Sequence, residues 1–175
     1  QDFTVYNVAR VTKGLADWLL NDHEKPTVLL GHDCRFGGPL FTETVAKVLC
    51  ANGINVVMAK GFVSTPMISF GVLQVQAQQG VIITASHNPP TYNGYKLKGA
   101  HGGPSNPADI AAVEALIPNT VDIPKQGMKY WEDNGMLRYI NLEDMYVAYL
   151  EEKFDIAALN KSPFKLAYDA MYGAG

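Results

Sequence analysis

The chain has 175 residues, 47% of them hydrophobic, with 14 Lys and Arg against 17 Asp and Glu for a net charge of −3. That is too apolar for a disordered chain, and the length suits one domain, or one domain and a piece of another. With a pI near 5.8, bulk attraction to nucleic acid or to an anionic membrane is excluded, and no apolar run is long enough for a membrane span. Neither a nucleic-acid nor a membrane partner is therefore expected.

Apolar positions Val8, Val11, Leu15, Trp18 and Leu19 recur at helical spacing, with Thr4 as N-cap and Asn21-Asp22 as the stop. Thr27-Val28-Leu29-Leu30 reads as a short buried strand, and Gly31 to Gly38 as the loop after it. Pro39 suits the first turn of the next helix, which carries Phe41, Val45, Val48 and Leu49 and stops at Asn52-Gly53. Ile54 to Met58 is the next strand. Ser64-Thr65-Pro66 opens a third helix, expected to run to about Gln78.

Gly80-Val81-Ile82-Ile83 is a β-branched run that reads as a buried strand. Asn93-Gly94 between two tyrosines predicts a tight hairpin turn, and hence an antiparallel strand in an otherwise parallel sheet. Asn106-Pro107 is an N-cap followed by an N1 proline, opening a helix with Ile110, Val113 and Leu116. Met136 to Ile140 is a short strand, a helix with Met145, Val147, Tyr149 and Leu150 runs to about Phe154, and Phe164 to Asp169 is a last strand.

Strand and helix thus alternate, which implies an α/β fold, a three-layer α/β/α arrangement around a mostly parallel mixed sheet. The chain begins at Gln1 and ends straight after a strand-like run, so it is expected to be a fragment of a longer protein. The two cysteines, Cys34 and Cys50, have no metal-ligand spacing and are read as thiols in a reducing compartment, the cytoplasm.

The most telling segment is Thr84-Ala85-Ser86-His87-Asn88-Pro89-Pro90, just past the Gly80 strand. It puts a serine and a histidine at a strand end, where α/β sheets usually bind ligands, on a loop stiffened by two prolines. A few residues on comes Tyr92-Asn93-Gly94-Tyr95-Lys96. Together these closely resemble the phosphoserine loop and a second motif of the α-D-phosphohexomutases, the phosphoglucomutase and phosphomannomutase superfamily. On that resemblance residues 1–140 are domain I, without its usual N-terminal segment. Residues 141–175 are then a connecting helix and the first strand of domain II.

The resemblance implies interconversion of hexose 1-phosphate and hexose 6-phosphate through a phosphoserine enzyme and a bisphosphorylated sugar, with hexose 1,6-bisphosphate as activator. Ser86 would carry the phosphoryl group, splitting one isomerisation into two transfers; on spacing alone it could equally cap a turn. His87 would bind phosphate, orient the loop or act as general acid or base, or be a loop histidine bonded to backbone. Lys96 would position the phosphate or move protons, against a solvated strand lysine. Asn88 and Arg35 are the candidate phosphate-binding residues. Asn88 is also suited to shaping the loop, and Arg35 either forks onto phosphate oxygens or pairs with Asp33 to fix the loop. Lys98, on the same strand face as Lys96, is expected on the surface.

In the family Mg²⁺ is held by the phosphoserine phosphate and by aspartates of an acidic loop in domain II. Ser86, through its phosphate, is thus the one metal-binding residue expected here, and the missing domains of the same polypeptide would supply the rest. The fragment alone is expected to be inactive. Two rivals remain: a non-catalytic α/β domain binding a phosphorylated ligand or a protein, and a serine hydrolase. The second lacks the Gly-x-Ser-x-Gly elbow.

Overall fold

The computed structural model describes residues 3–174. Helix α1 (Val5–Asp22) starts where Thr4 accepts a hydrogen bond from the Asn7 amide at 3.2 Å. Strand β1 (Thr27–His32) follows, then α2 (Gly38–Ala51) and β2 (Asn55–Ala59). At the end of α2, Gly53 takes φ +81°, and the Ile54 and Gly53 amides return to the Leu49 and Cys50 carbonyls. These are the two bonds of a glycine C-cap. Next come α3 (Thr65–Gln74), β3 (Gln79–Ile83), β4 (Tyr95–Gly99) and α4 (Pro107–Ala115). Helix α5 (Met128–Asp133), β5 (Leu137–Ile140), α6 (Leu142–Lys153) and α7 (Ile156–Asn160) complete the order.

The five strands lie in the order β4-β3-β1-β2-β5; β4 is antiparallel to β3 and the other neighbours are parallel. Side chains alternate across the sheet. Val28, Leu30, Val56, Met58, Val81 and Ile83 pack into one core, where α1, α2, α4 and α5 supply Leu15, Leu49, Val113 and Trp131. Leu29, Val57, Ala59 and Ile82 enter a second core with Ile68 and Val72 of α3 and Leu142 of α6. This is the expected three-layer α/β/α fold with a mostly parallel mixed sheet.

Four expectations need correction. Helix α3 stops at Gln74 rather than Gln78, because Gln76 adopts φ +54° and the Ala77 and Gln76 amides close onto the Val72 and Leu73 carbonyls. That is the same C-cap with glutamine where glycine is usual, so the sequence carried no stop signal. β4 is antiparallel, as expected, but no tight turn forms at Asn93-Gly94. Neither residue has the positive φ such a turn requires; the connection is a loop spanning 84–94, closed by the Thr84 amide on the Gly94 carbonyl at 3.0 Å.

Phe164 to Asp169 is not a strand. The segment is exposed and pairs with no strand among the described residues, and an isolated extended run gains nothing from strand geometry. Lys98 is only 8% exposed. Its stem lies over Gly80, where an added Cβ would come within 3.0 Å of Lys98 Cβ. Burial, then the charge of Lys96, lowers the pKa of its ammonium. Past β5, Leu142 is fully buried in the second core, and Tyr146 and Tyr149 of α6 pack against Phe70 of α3, the first edge-on and the second tilted. Residues 151–173 are exposed throughout.

Candidate active site

Parallel strands β1 and β3 end side by side, His32 against Ile83. The next residue on each is polar: Asp33 and Thr84. Thr84 is 3% exposed, and its hydroxyl donates to Asp33 Oδ2 at 2.5 Å while accepting from the Ser86 amide at 3.1 Å. Asp33 Oδ1 accepts from the Arg35 amide at 3.0 Å. One carboxylate therefore ties the loop after β1 to the loop after β3.

Beyond Thr84 the chain turns, with the Asn88 amide on the Ala85 carbonyl at 3.0 Å. Ser86 occupies this turn at φ +53°. For a residue with a Cβ, that backbone costs on the order of 1–3 kcal/mol and persists only where the surroundings hold it. The turn leaves Ser86 exposed with Oγ facing the cleft, and Lys96 of β4 reaches back to donate from Nζ to that oxygen. The ammonium is a compact point charge beside the hydroxyl.

Arg35 crosses from the β1 loop to the Ser86 loop. Its Nη2 donates to the Ser86 carbonyl at 2.8 Å and the Asn88 carbonyl at 2.6 Å. Its Nη1 donates to the Pro89 and Tyr92 carbonyls at 2.9 and 3.1 Å. Nε faces Asp33 Oδ2 at 3.4 Å. A guanidinium has five N–H donors; the four on Nη1 and Nη2 are spent on loop carbonyls and the Nε side is ion-paired with Asp33. The expected fork onto phosphate oxygens therefore has no donor left in this arrangement.

The cleft in front of Ser86 holds about 530 Å³ and is lined by Arg35, Thr65, Thr84, Asn88 and, from the chain's last stretch, Met171 and Tyr172. Cys34 contributes an Sγ contact of 2.9 Å to the Tyr172 carbonyl. His87 lies exposed at the same turn. The structure thus brings Ser86, His87, Asn88, Lys96 and Arg35 together around one loop. His32 is buried, with Nδ1 2.7 Å from the Asp33 carbonyl, and His101 sits in the turn that folds β4 onto Pro104. The sequence reading missed Thr84 and the terminal tyrosine; polar residues one step past two adjacent buried strands were the available signal for Thr84.

No group of three or more His, Cys, Asp or Glu able to hold a metal occurs among the described residues. Asp33, the carboxylate nearest the serine in the network, is already engaged by Thr84 and Arg35. Mg²⁺ requires about six oxygen ligands, so the residues present do not fit it by themselves.

Residues 1–122 match the family model for phosphoglucomutase/phosphomannomutase, alpha/beta/alpha domain I. The chain is 29% identical over 171 residues to the phosphoglucomutase of Staphylococcus saprophyticus, covering 96% of this chain and 31% of that protein. A crystal structure from Thermus thermophilus, described as a "putative phosphomannomutase", superposes with a TM-score of 0.82 at 33% identity, covering 91% of this chain and 34% of that one. The open form of the Paramecium phosphoglucomutase parafusin shares the fold, with a TM-score of 0.79 at 18% identity. The chain spans about a third of the length of these relatives. It belongs to the phosphoglucomutase/phosphomannomutase family, matching that family's α/β/α domain I.

Proposed function

We propose that this domain provides the phosphoserine of a phosphohexomutase that interconverts hexose 1-phosphate and hexose 6-phosphate. The observation that carries the reading is the Lys96–Ser86 pair: a strained, exposed serine hydroxyl with an ammonium on it, at a strand end of this family's domain I. In the first transfer a sugar hydroxyl oxygen attacks the phosphorus of phosphorylated Ser86. The new O–P bond forms as the Ser86 Oγ–P bond breaks, and Lys96 supplies positive charge or a proton to the departing Oγ. The bisphosphorylated sugar turns over in the cleft, and Ser86 Oγ attacks the other phosphorus. The new Oγ–P bond forms as the sugar O–P bond breaks, the released sugar oxygen takes back a proton, and the phosphoserine is regenerated. Hexose 1,6-bisphosphate activates the enzyme by loading Ser86 the same way.

His87, next to Ser86 in the sequence and exposed, serves the sugar hydroxyl as proton acceptor. Asn88 lines the cleft and offers its side-chain amide to a phosphate oxygen. Mg²⁺ belongs to this reading only with carboxylates from the rest of the polypeptide, residues 141–175 leading into it, and the isolated domain is inactive. The setting is the cytoplasm, a reading supported by the free thiols of Cys34 and Cys50. No helix among the described residues is long and apolar enough to cross a membrane.

The test is the intact mass of the natural full-length protein before and after incubation with glucose 1,6-bisphosphate and Mg²⁺, with peptide mapping of the Ser86 loop. One phosphate on Ser86 is expected. An unmodified Ser86 in folded protein would overturn the proposal in favour of a ligand-binding relative.

A further inference from the structure

We propose that Arg35 is a positioning residue: its guanidinium clamps the Ser86 loop in its reactive shape, and it is not a ligand of the substrate phosphate. The catalytic half of this inference rests on the mutase reading; the mechanical half rests on geometry alone.

Four carbonyl oxygens between Ser86 and Tyr92 converge on the two terminal nitrogens of one guanidinium, and Asp33 holds the Nε side. Carbonyls pointing inward at a common centre repel one another unless a cation or donor fills it, so the loop's shape depends on what sits there. The planar fork reaches all four, whereas a lysine ammonium has three donors at a single point. Asp33 also receives the Thr84 hydroxyl, and Thr84 in turn receives the Ser86 amide. The strained φ of Ser86 is therefore held at both peptide groups: its N–H through Thr84 and its C=O through Arg35. The Asp33 and Arg35 side chains are themselves only 14% and 13% exposed, although the loop carbonyls they hold lie at the surface. Lys96, in contrast, touches Oγ itself. The two cations divide the work: one meets the reacting oxygen and the other fixes the backbone that presents it.

The experiment compares Arg35→Lys and Arg35→Met with the natural full-length protein. Hydrogen exchange at the Ser86, Asn88 and Tyr92 amides, with no sugar present, is expected to quicken by roughly tenfold or more in both variants while β1 and α2 keep their protection. With hexose phosphate, kcat is expected to fall about 100-fold and KM to move less than about threefold, as misplacement of the nucleophile predicts. Unchanged exchange in the loop overturns the clamp. A KM raised about tenfold or more with kcat retained in Arg35→Lys identifies a substrate ligand and also overturns it. Should the natural protein turn over no hexose phosphate, the mutase reading falls, and the exchange data still decide the clamp. If Arg35→Met fails to fold, Arg35→Lys and Asp33→Asn carry the test, and Asp33→Asn is expected to loosen the same amides.

Discussion

Lys96 donates its Nζ proton to Ser86 Oγ across ten residues of sequence, and the two are brought together by the antiparallel pairing of β3 with β4. In that register Ile82 lies opposite Lys96 and Ile83 opposite Tyr95. The strand that leads into the serine loop is thus also the template that places the lysine. Side-chain alternation then puts Lys96 on the opposite sheet face from Tyr95 and Leu97, which pack in the first core.

If that ammonium stabilises charge on Oγ during transfer, removing it slows loading of the serine. Lys96→Met is expected to reduce the rate of Ser86 phosphorylation by glucose 1,6-bisphosphate roughly 100-fold, a loss typical for one electrostatic donor at a reacting oxygen. Lys96→Arg keeps the charge but not the compact geometry and should fall between. Single-turnover transfer from labelled bisphosphate measures both; a Lys96→Met protein that loads at the natural rate would make the lysine a bystander.

Ser86 sits at φ +53°, and its backbone and its hydroxyl can be tested separately. Ser86→Ala and Ser86→Gly both lose the oxygen, so both lose phosphoryl loading. They differ in strain: glycine adopts the left-handed region freely and alanine does not. Ser86→Gly is expected to be more stable than Ser86→Ala by about 1 kcal/mol in denaturant unfolding. Equal stabilities would mean that the loop relaxes its backbone once the hydroxyl is gone.

Most of the sheet was legible because its signals are local. β-branched runs such as Gly80 to Ile83, the Thr4 and Asn106 caps and the Asn52-Gly53 stop each act within a few residues. What was hidden depends on distant partners. Nothing near Gln76 announces a left-handed cap. Asn93-Gly94 reads as a turn, yet Gly94 is where a Cβ would come within 2.7 Å of the Thr84 carbonyl, and Asn93 Nδ2 bonds the Phe36 carbonyl at 3.3 Å. The strand-like pattern of Phe164 to Asp169 records a tendency to pair without saying with what. At the site, the serine and lysine stood out through the resemblance of their two motifs to the phosphohexomutases, since on spacing alone the serine could equally cap a turn. The use of Arg35 did not, because an arginine that binds phosphate and one that binds four carbonyls look alike in sequence.

Helix α1 holds a glycine at an interior position, where alanine would ordinarily gain about 1 kcal/mol of helix propensity. At Gly14, however, a Cβ would lie 2.9 Å from the Val113 carbonyl oxygen and 3.0 Å from Ile117 Cγ1, so α4 would have to move. The crowding involves backbone, which yields less readily than a side-chain tip. Gly14→Ala is expected to destabilise the domain by about 1–3 kcal/mol, lowering Tm by several degrees. A raised Tm would show that α4 is loosely seated on α1.

The two thiols should respond differently to reagent and to pH. Cys50 is 3% exposed, and burial pushes its pKa from 9.0 up to about 12; Cys34 is half-buried at the cleft. A thiol-specific disulfide reagent is therefore expected to label Cys34 in the folded protein and Cys50 only on unfolding. Because the folded pKa lies above the unfolded one, the native state holds a proton that the unfolded chain releases. The stability Cys50 contributes is complete below pH 9.0 and is lost as pH rises toward about 12. Cys50→Ala should cost about 1–2 kcal/mol at pH 7 through lost packing, and this difference from the natural protein should shrink steadily above pH 9. Tyr95 is raised by burial in the same direction, so its own loss begins only above its ordinary value of 10.0 and is shared by both proteins in the comparison. A difference that stays constant from pH 7 to pH 11, or prompt labelling of Cys50 in folded protein, would mean that the α2 face carrying it opens to water.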